Sequence, residues 1–201
     1  MPGQKAAEVE RREQILKAAY DVAVRRGIDG LTVRAVATRA RLSHGLVLFH
    51  FKRKDQLGLA LLDRVLAATL SLRVPEYVTT IPSPRERLLA MCQHEISRLS
   101  EDPRRARLLL EYWARGAHNA EIRAKISSGL EGYRTAFREV AEKALSRSDL
   151  SGTSAPAAVA AVNVSLIIGC SVQAMSDPEE FDLQEYISVV QVILGQFAKA
   201  A

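Results

Sequence analysis

TVRAVATRARLSHGLVLFHFKRKDQL, from Thr32 to Leu57, carries two helix periods in close succession. Thr32 is a hydroxyl residue placed to accept backbone N–H groups at a helix start, and Val33, Val36, Ala37 and Ala40 follow at the i, i+3, i+4, i+7 spacing of one buried face. The spacing predicts a helix over 33–40. Arg41, Leu42 and Ser43 break the pattern, and Ser43 can cap a second helix in which Val47 and Phe51 stand one turn apart on the side facing the first. Two short helices joined by a three-residue turn form a helix-turn-helix. The remaining face of the second helix carries Ser43, His44, Gly45, Leu46, Phe49 and His50. Such a helix fits the major groove of duplex DNA, about 12 Å wide, with its N-terminal residues meeting base edges and Gly45 letting the backbone approach closely.

Upstream, RREQILKAAYDVAVRRG places Ile15, Leu16, Ala19, Val22 and Ala23 at helical spacing, with Gly27 suited to the C-terminal cap. With this helix, the cap, the turn and the closing Phe51-x-x-Lys54-x-x-Leu57 all in register, the stretch resembles the DNA-binding domain of the TetR family of bacterial transcriptional repressors. Two residues depart from the family pattern. Arg41 stands where members carry a turn glycine of positive φ, a conformation arginine takes only at a cost. Leu48 replaces a tyrosine whose hydroxyl reaches a phosphate, so that contact is lost here. His50 occupies a position where a second aromatic is common, and its imidazole either donates to a phosphate or packs.

GLVLFHF is apolar for a groove-reading helix. Leu48 reads as packing, whereas Leu46 and Phe49 either pack or touch thymine methyl groups. Charge supports the DNA assignment: residues 1–57 hold 12 Lys+Arg against 6 Asp+Glu, and residues 58–201 hold 16 against 17. A localised positive field supplies sequence-independent affinity for phosphates that falls with salt. Thr32, Arg34, Ser43, Lys52 and Lys54 are the candidate phosphate contacts, Lys54 with the added pull of the next helix N-terminus.

At 201 residues, 48% hydrophobic and 25% charged, the chain suits one sizeable core plus a small appended domain. Without extended β-branched alternation it reads as all-α with about nine helices. The expected division is a three-helix DNA-binding domain over 1–54 and a larger effector-binding and dimerisation domain over 55–201. Cys92 and Cys170 have no metal or redox spacing, and Cys92, His94 and Glu95 face different ways on a helix, so no metal, cofactor or catalytic cluster is expected. MPGQKAAEVERREQ lacks a secretory apolar core, which implies a cytoplasmic protein.

A long helix is expected from Asp55 to about Arg73, ended by Pro75, as the lever between domains, with Leu66 and Leu70 on its apolar side. A proline-rich loop, a helix stopped near Asp102-Pro103, and helices over 104–115 and 118–145 should follow. SGTSA, before Pro156, reads as a polar linker. Residues 150–176 carry no charge, yet their Ala, Asn163, Ser165, Ser171 and Gln173 and their acidic flanks argue against a membrane span. An apolar helix there, followed by the stripe Leu183, Tyr186, Ile187, Val190, Ile193, Leu194 and Phe197, suggests burial against a second copy of the chain. The family resemblance implies a four-helix homodimer interface, for which Val162, Leu166, Gly169, Leu183, Tyr186, Val190, Ile193, Leu194 and Phe197 are the candidates.

LLLEYWARGAHNAEIRAKI, with Tyr133 and Phe137 beyond it, resembles the C-terminal domain of the choline-responsive BetI branch. The resemblance implies a quaternary-ammonium effector held by cation–π attraction, to which Tyr112, Trp113 and Tyr133 could contribute, while the spacing of Trp113 equally fits a core anchor. Leu66, Leu70, Cys92, Tyr112, Trp113, Tyr133, Phe137 and Cys170 are the candidate pocket residues for an unknown small molecule. The chain thus reads as a non-enzymatic, ligand-responsive repressor of a palindromic operator. The alternatives are a ligand-independent regulator or activator, and a helical dimerisation module that binds DNA without sequence preference.

Overall fold

The computed structural model describes residues 2–72, 74–144 and 156–196. Among them there is no strand, and the elements are α1 (Pro2–Arg26), α2 (Val33–Ala40), α3 (His44–Phe51), α4 (Lys54–Thr69), α5 (Glu76–Thr79), α6 (Pro84–Ser100), α7 (Pro103–Gly116), α8 (Ala120–Ala144), α9 (Pro156–Ser176) and α10 (Leu183–Gln196). The additional helix relative to the expected nine is α5. Pro75, read as part of a loop, instead stands at the N-cap of a single helical turn with φ −64 and ψ 152, and that turn buries Val78.

The chain forms two compact units, residues 1–68 with 108–126, and residues 69–107 with 127–201. In the first, α1 packs on α2 and α2 on α3. Ile15, Ala19 and Val22 of α1, Val36, Ala37 and Ala40 of α2, and Val47 and Phe51 of α3 are buried together with Leu57, Leu61 and Leu62 of α4 and Leu108 and Tyr112 of α7. In the second unit α9 packs on α6, and α10 packs on both. Its core takes Met91, Cys92 and Ile96 from α6, Tyr133 and Phe137 from α8, Val159, Ile167 and Cys170 from α9, and Ile187, Val190 and Leu194 from α10.

Helix ends depart from expectation for local reasons. α4 stops at Thr69, short of the expected Arg73, and the Thr69 carbonyl accepts from Arg98 Nη2 at 3.0 Å. α8 begins at Ala120 because Asn119 Oδ1 accepts the N–H groups of Glu121 and Ile122, both at 3.0 Å, and so acts as a cap. Arg73, Leu145, the SGTSA linker and Phe197 lie outside the described residues.

By length and composition α9 could cross a bilayer. One stripe of it, through Val159, Asn163, Ile167, Cys170 and Ser171, is nevertheless buried within its own unit.

Candidate nucleic-acid interface

Local chemistry positions the reading head. The Ala35 N–H donates to Thr32 Oγ1 at 3.1 Å, and the Leu46 N–H donates to Ser43 Oγ at 3.1 Å, so each hydroxyl starts one helix of the pair. Between the helices Arg41 takes φ 57 and ψ 44, the left-handed conformation expected of a glycine there. Two bonds close this turn: Arg41 N–H donates to Thr38 O at 3.2 Å and Leu42 N–H to Ala37 O at 3.0 Å. Gln14 Nε2 donates to Ala40 O at 2.9 Å, which ties α1 to the end of α2.

On α3, Val47 and Phe51 are buried, Leu46, Leu48 and His50 are half-buried, and Ser43, His44, Gly45 and Phe49 are exposed. A Cβ on Gly45 would meet nothing within 4 Å, so packing inside the chain does not require glycine there. Phe49 is 63% exposed, meets the edge of His50 at 5.3 Å between ring centroids, and has Lys52 Nζ 5.4 Å from its ring centre. The carbonyl of His50 accepts from Arg12 Nη1 at 3.2 Å, while the Arg12 guanidinium lies 4.3 Å from the centre of the Phe51 ring.

Lys52 ends the helix at φ 56 and ψ −51, and across it the Arg53 N–H donates to Phe51 O, a strained γ-turn. Thr32, Arg34, Lys52 and Lys54 are exposed, with Lys54 as the first residue of α4. Sequence reasoning did not single out Arg25, Arg26 and Arg39. Together with Thr32 and Arg34 they line a cleft of about 410 Å³ between α1 and α2. The repeated arginines closing α1 were the available signal.

The candidate effector residues divide between the units. In the first, Leu66 and Tyr112 are buried, Trp113 is half-buried, and Tyr112 Oη donates to Gly58 O at 2.7 Å. In the second, Leu70, Cys92, Tyr133, Phe137 and Cys170 are all buried, with Tyr133 and Phe137 edge to face at 5.3 Å. The polar centre of this unit is Glu95, which the sequence reading had set aside. Its carboxylate accepts from Tyr133 Oη at 2.6 Å and from Arg98 Nε and Nη2 at 3.0 and 2.6 Å. Burial, reinforced by the Glu95 charge, pushes the Tyr133 hydroxyl up and keeps it a donor.

A second buried polar group is Asn163, which the sequence reading weighed only against a membrane span. It is fully buried, its Nδ2 donates to Val159 O at 2.8 Å, and its Oδ1 has no hydrogen-bond partner among the described residues. Among the described residues, no group of three metal-binding side chains occurs.

Of the candidate interface residues, Val162 and Ile193 are exposed, and Leu166, Gly169, Leu183 and Tyr186 are half-buried. Val190 and Leu194 instead face inward and are buried in their own unit, because they share the stripe of Ile187 that packs on α6 and α9. The exposed stripe of α10 runs through Val189, Val192 and Ile193, at 52%, 63% and 39% exposure.

Residues 15–61 match the family model for bacterial regulatory proteins of the tetR family, and residues 84–198 match that for the C-terminal domain of BetI-type transcriptional repressors. An uncharacterised HTH-type transcriptional regulator encoded in the dhlA 5′ region of Xanthobacter autotrophicus is 29% identical over 177 residues, 86% of this chain and 83% of that protein. The fold is shared with a transcriptional regulator of Saccharomonospora viridis in complex with choline, at a TM-score of 0.72 and 19% identity, over 93% of this chain and 96% of that one. It is shared also with FadR of Bacillus subtilis in complex with stearoyl-CoA, at a TM-score of 0.71 and 20% identity, over 94% and 98%. The chain belongs to the TetR family of bacterial transcriptional regulators, and its C-terminal part is of the BetI type.

Proposed function

We propose that the chain is a homodimeric repressor whose two α3 helices enter successive major grooves of a palindromic operator, with half-sites roughly 34–36 Å apart, and that a small molecule releases it. In this reading residues 1–54 bind DNA and residues 55–201 bind the effector and the second copy. The observation that carries it is the solvent-facing side of α3, presenting His44, Gly45 and Phe49 between two helix caps and basic edges. The Thr32 and Ser43 hydroxyls accept from backbone N–H groups, which leaves their own hydrogens to donate to phosphates, with Arg34, Lys52 and Lys54 as cationic partners. Leu46 and Phe49 contact thymine methyls, and His50 borders them. The apolar stripe Val162, Val189, Val192 and Ile193 supports dimerisation through α9 and α10. A DNA-bound regulator of this bacterial family acts in the cytoplasm, away from any membrane, and its role is binding rather than catalysis.

The effector must favour the conformation in which the recognition helices are wrongly spaced. Arg98 joins the Glu95–Tyr133 pair to the last carbonyl of α4, so a ligand that displaces Tyr133 would loosen the end of that helix. Asn163 Oδ1 offers such a ligand an unused acceptor in the core. Choline and stearoyl-CoA in neighbours of one fold show that the fold does not fix the effector, and the closed-in Tyr112 and Tyr133 favour core roles over a cation cage.

The deciding experiment is selection of bound duplexes from a random-sequence library by the purified chain at near-physiological salt. Enrichment of a palindrome is expected. Binding without any preferred sequence would refute specific regulation and leave a non-specific dimerisation module.

A further inference from the structure

We propose that the cleft between α1 and α2 holds the sugar-phosphate backbone of duplex DNA flanking the base pairs that α3 reads. The inference rests on the regulator reading and extends the footprint of each half-site beyond the reading helix.

The cleft, about 410 Å³, is lined by Arg25 and Arg26 from α1 and by Thr32, Arg34, Thr38 and Arg39 from the start and outer face of α2. Its one acid, Asp21, forms an ion pair with Arg39, so the lining carries four arginines against one aspartate. All four arginines are exposed. Thr32, whose hydroxyl caps α2, is shared between this cleft and the proposed phosphate contacts, so the basic surface is continuous with the reading head. In a helix-turn-helix the first helix of the pair crosses the DNA backbone, and here α2 is that helix.

The turn after α1 fixes where its two arginines stand. Gly27 at φ +68 ends the helix just beyond them. Gly30 folds over Arg26 so closely that an added Cβ would lie 2.4 Å from Arg26 Cβ, and only glycine permits that approach. A guanidinium presents paired donors that match phosphate oxygens, whereas none of the lining side chains comes from α3, where base edges are read.

Cations in the last turn of a helix also stabilise it through the helix dipole, which is the competing explanation of Arg25 and Arg26. The two roles separate experimentally. The test compares the unsubstituted chain, Arg25→Ala/Arg26→Ala and Arg25→Lys/Arg26→Lys on the selected operator, both with long flanks and trimmed to the conserved base pairs. Affinity is measured against salt from roughly 50 to 200 mM, where each lost phosphate contact lowers the logarithmic slope by about 0.9.

With two arginines lost from each of two protomers, the alanine variant is expected to lose about 3.6 in slope on the flanked duplex, so that its salt-induced loss of affinity is about 150-fold smaller, with an unchanged preferred sequence. On the trimmed duplex it should match the unsubstituted chain, and the lysine variant should restore the slope. An unchanged slope with a lowered melting temperature would assign the arginines to the helix dipole and overturn the proposal. So would an altered base preference, or competition by inorganic phosphate that is independent of flank length, which would mark a free-anion site. Failure of the unsubstituted chain to select any DNA sequence would remove the regulator reading itself, and this inference with it.

Discussion

Arg41 holds φ 57 and ψ 44, the left-handed region that favours glycine. For an L-residue with a Cβ the left-handed region costs roughly 1–2 kcal/mol, part of which glycine would return as extra unfolded-state entropy. Arg41→Gly is therefore expected to stabilise the chain by about 0.5–1 kcal/mol in urea unfolding. A loss of stability would show that the arginine side chain itself holds the turn. The two cysteines illustrate burial at the same scale. Burial, with smaller contributions from Cys170 and Glu95, pushes the Cys92 thiol from its ordinary 9.0 up to about 12. Burial also pushes Cys170 up to about 11, against a hydrogen bond with Ser100. Because the folded state holds both thiols protonated, their contribution to stability is intact below pH 9.0 and is lost as pH rises from there toward about 11 and about 12. Iodoacetamide at about pH 8 should leave both thiols intact in the native chain and modify both in urea. Native labelling at the rate of free cysteine would contradict the buried placement.

At the scale of elements, α7 grips the turn between α1 and α2. Glu111 Oε2 accepts the Ile28 N–H at 2.8 Å, and Arg115 Nη2 pairs with Asp29 Oδ1 at 2.6 Å. Tyr112, between them, donates to Gly58 O on α4 at 2.7 Å. The Arg115 pair is exposed and contributes little, whereas the Glu111 bond is partly buried and takes an N–H beyond the end of α1. Gly27 belongs to the same device, since a Cβ there would stand 3.3 Å from Glu111 Oε2. Glu111→Ala is expected to cost about 1–3 kcal/mol and to raise amide exchange at Ile28 selectively over α3. Uniform exchange across the first unit would instead indicate global destabilisation.

For the whole molecule the decisive contrast is between the two sides of α10. Val192 is 63% exposed in the single chain, while Val190 is 3% exposed. Val192→Glu should convert the proposed dimer to a folded monomer, weakening association by about a hundredfold or more in analytical ultracentrifugation, with helical content intact. Val190→Glu should unfold the second unit instead, because it buries a charge among Ile187, Leu194 and α6. A Val192→Glu chain that remains dimeric at micromolar concentration would place the interface elsewhere.

The caps and the buried sides of α2 and α3 were legible in the sequence, because those signals act over three or four residues. Thr32 and Ser43 bond to the N–H three residues on, and the spacings Val36–Ala40 and Val47–Phe51 set the buried sides of α2 and α3 at the expected bounds. The glycine-like turn was legible in the same way, and the structure places Arg41 in it. Partnerships between distant residues were not legible. Glu95 and Tyr133, 38 positions apart, meet only when α6 and α8 pack, and Arg25 and Arg34 share a cleft only once Gly27 and Gly30 have turned the chain. The inward and outward sides of α10 were equally hidden, since valines, isoleucines and leucines lie all round the helix. Hydrophobicity states that such a helix leaves water; only the positions of α6 and α9 decide which of its side chains leave it within one chain and which are left for a second copy.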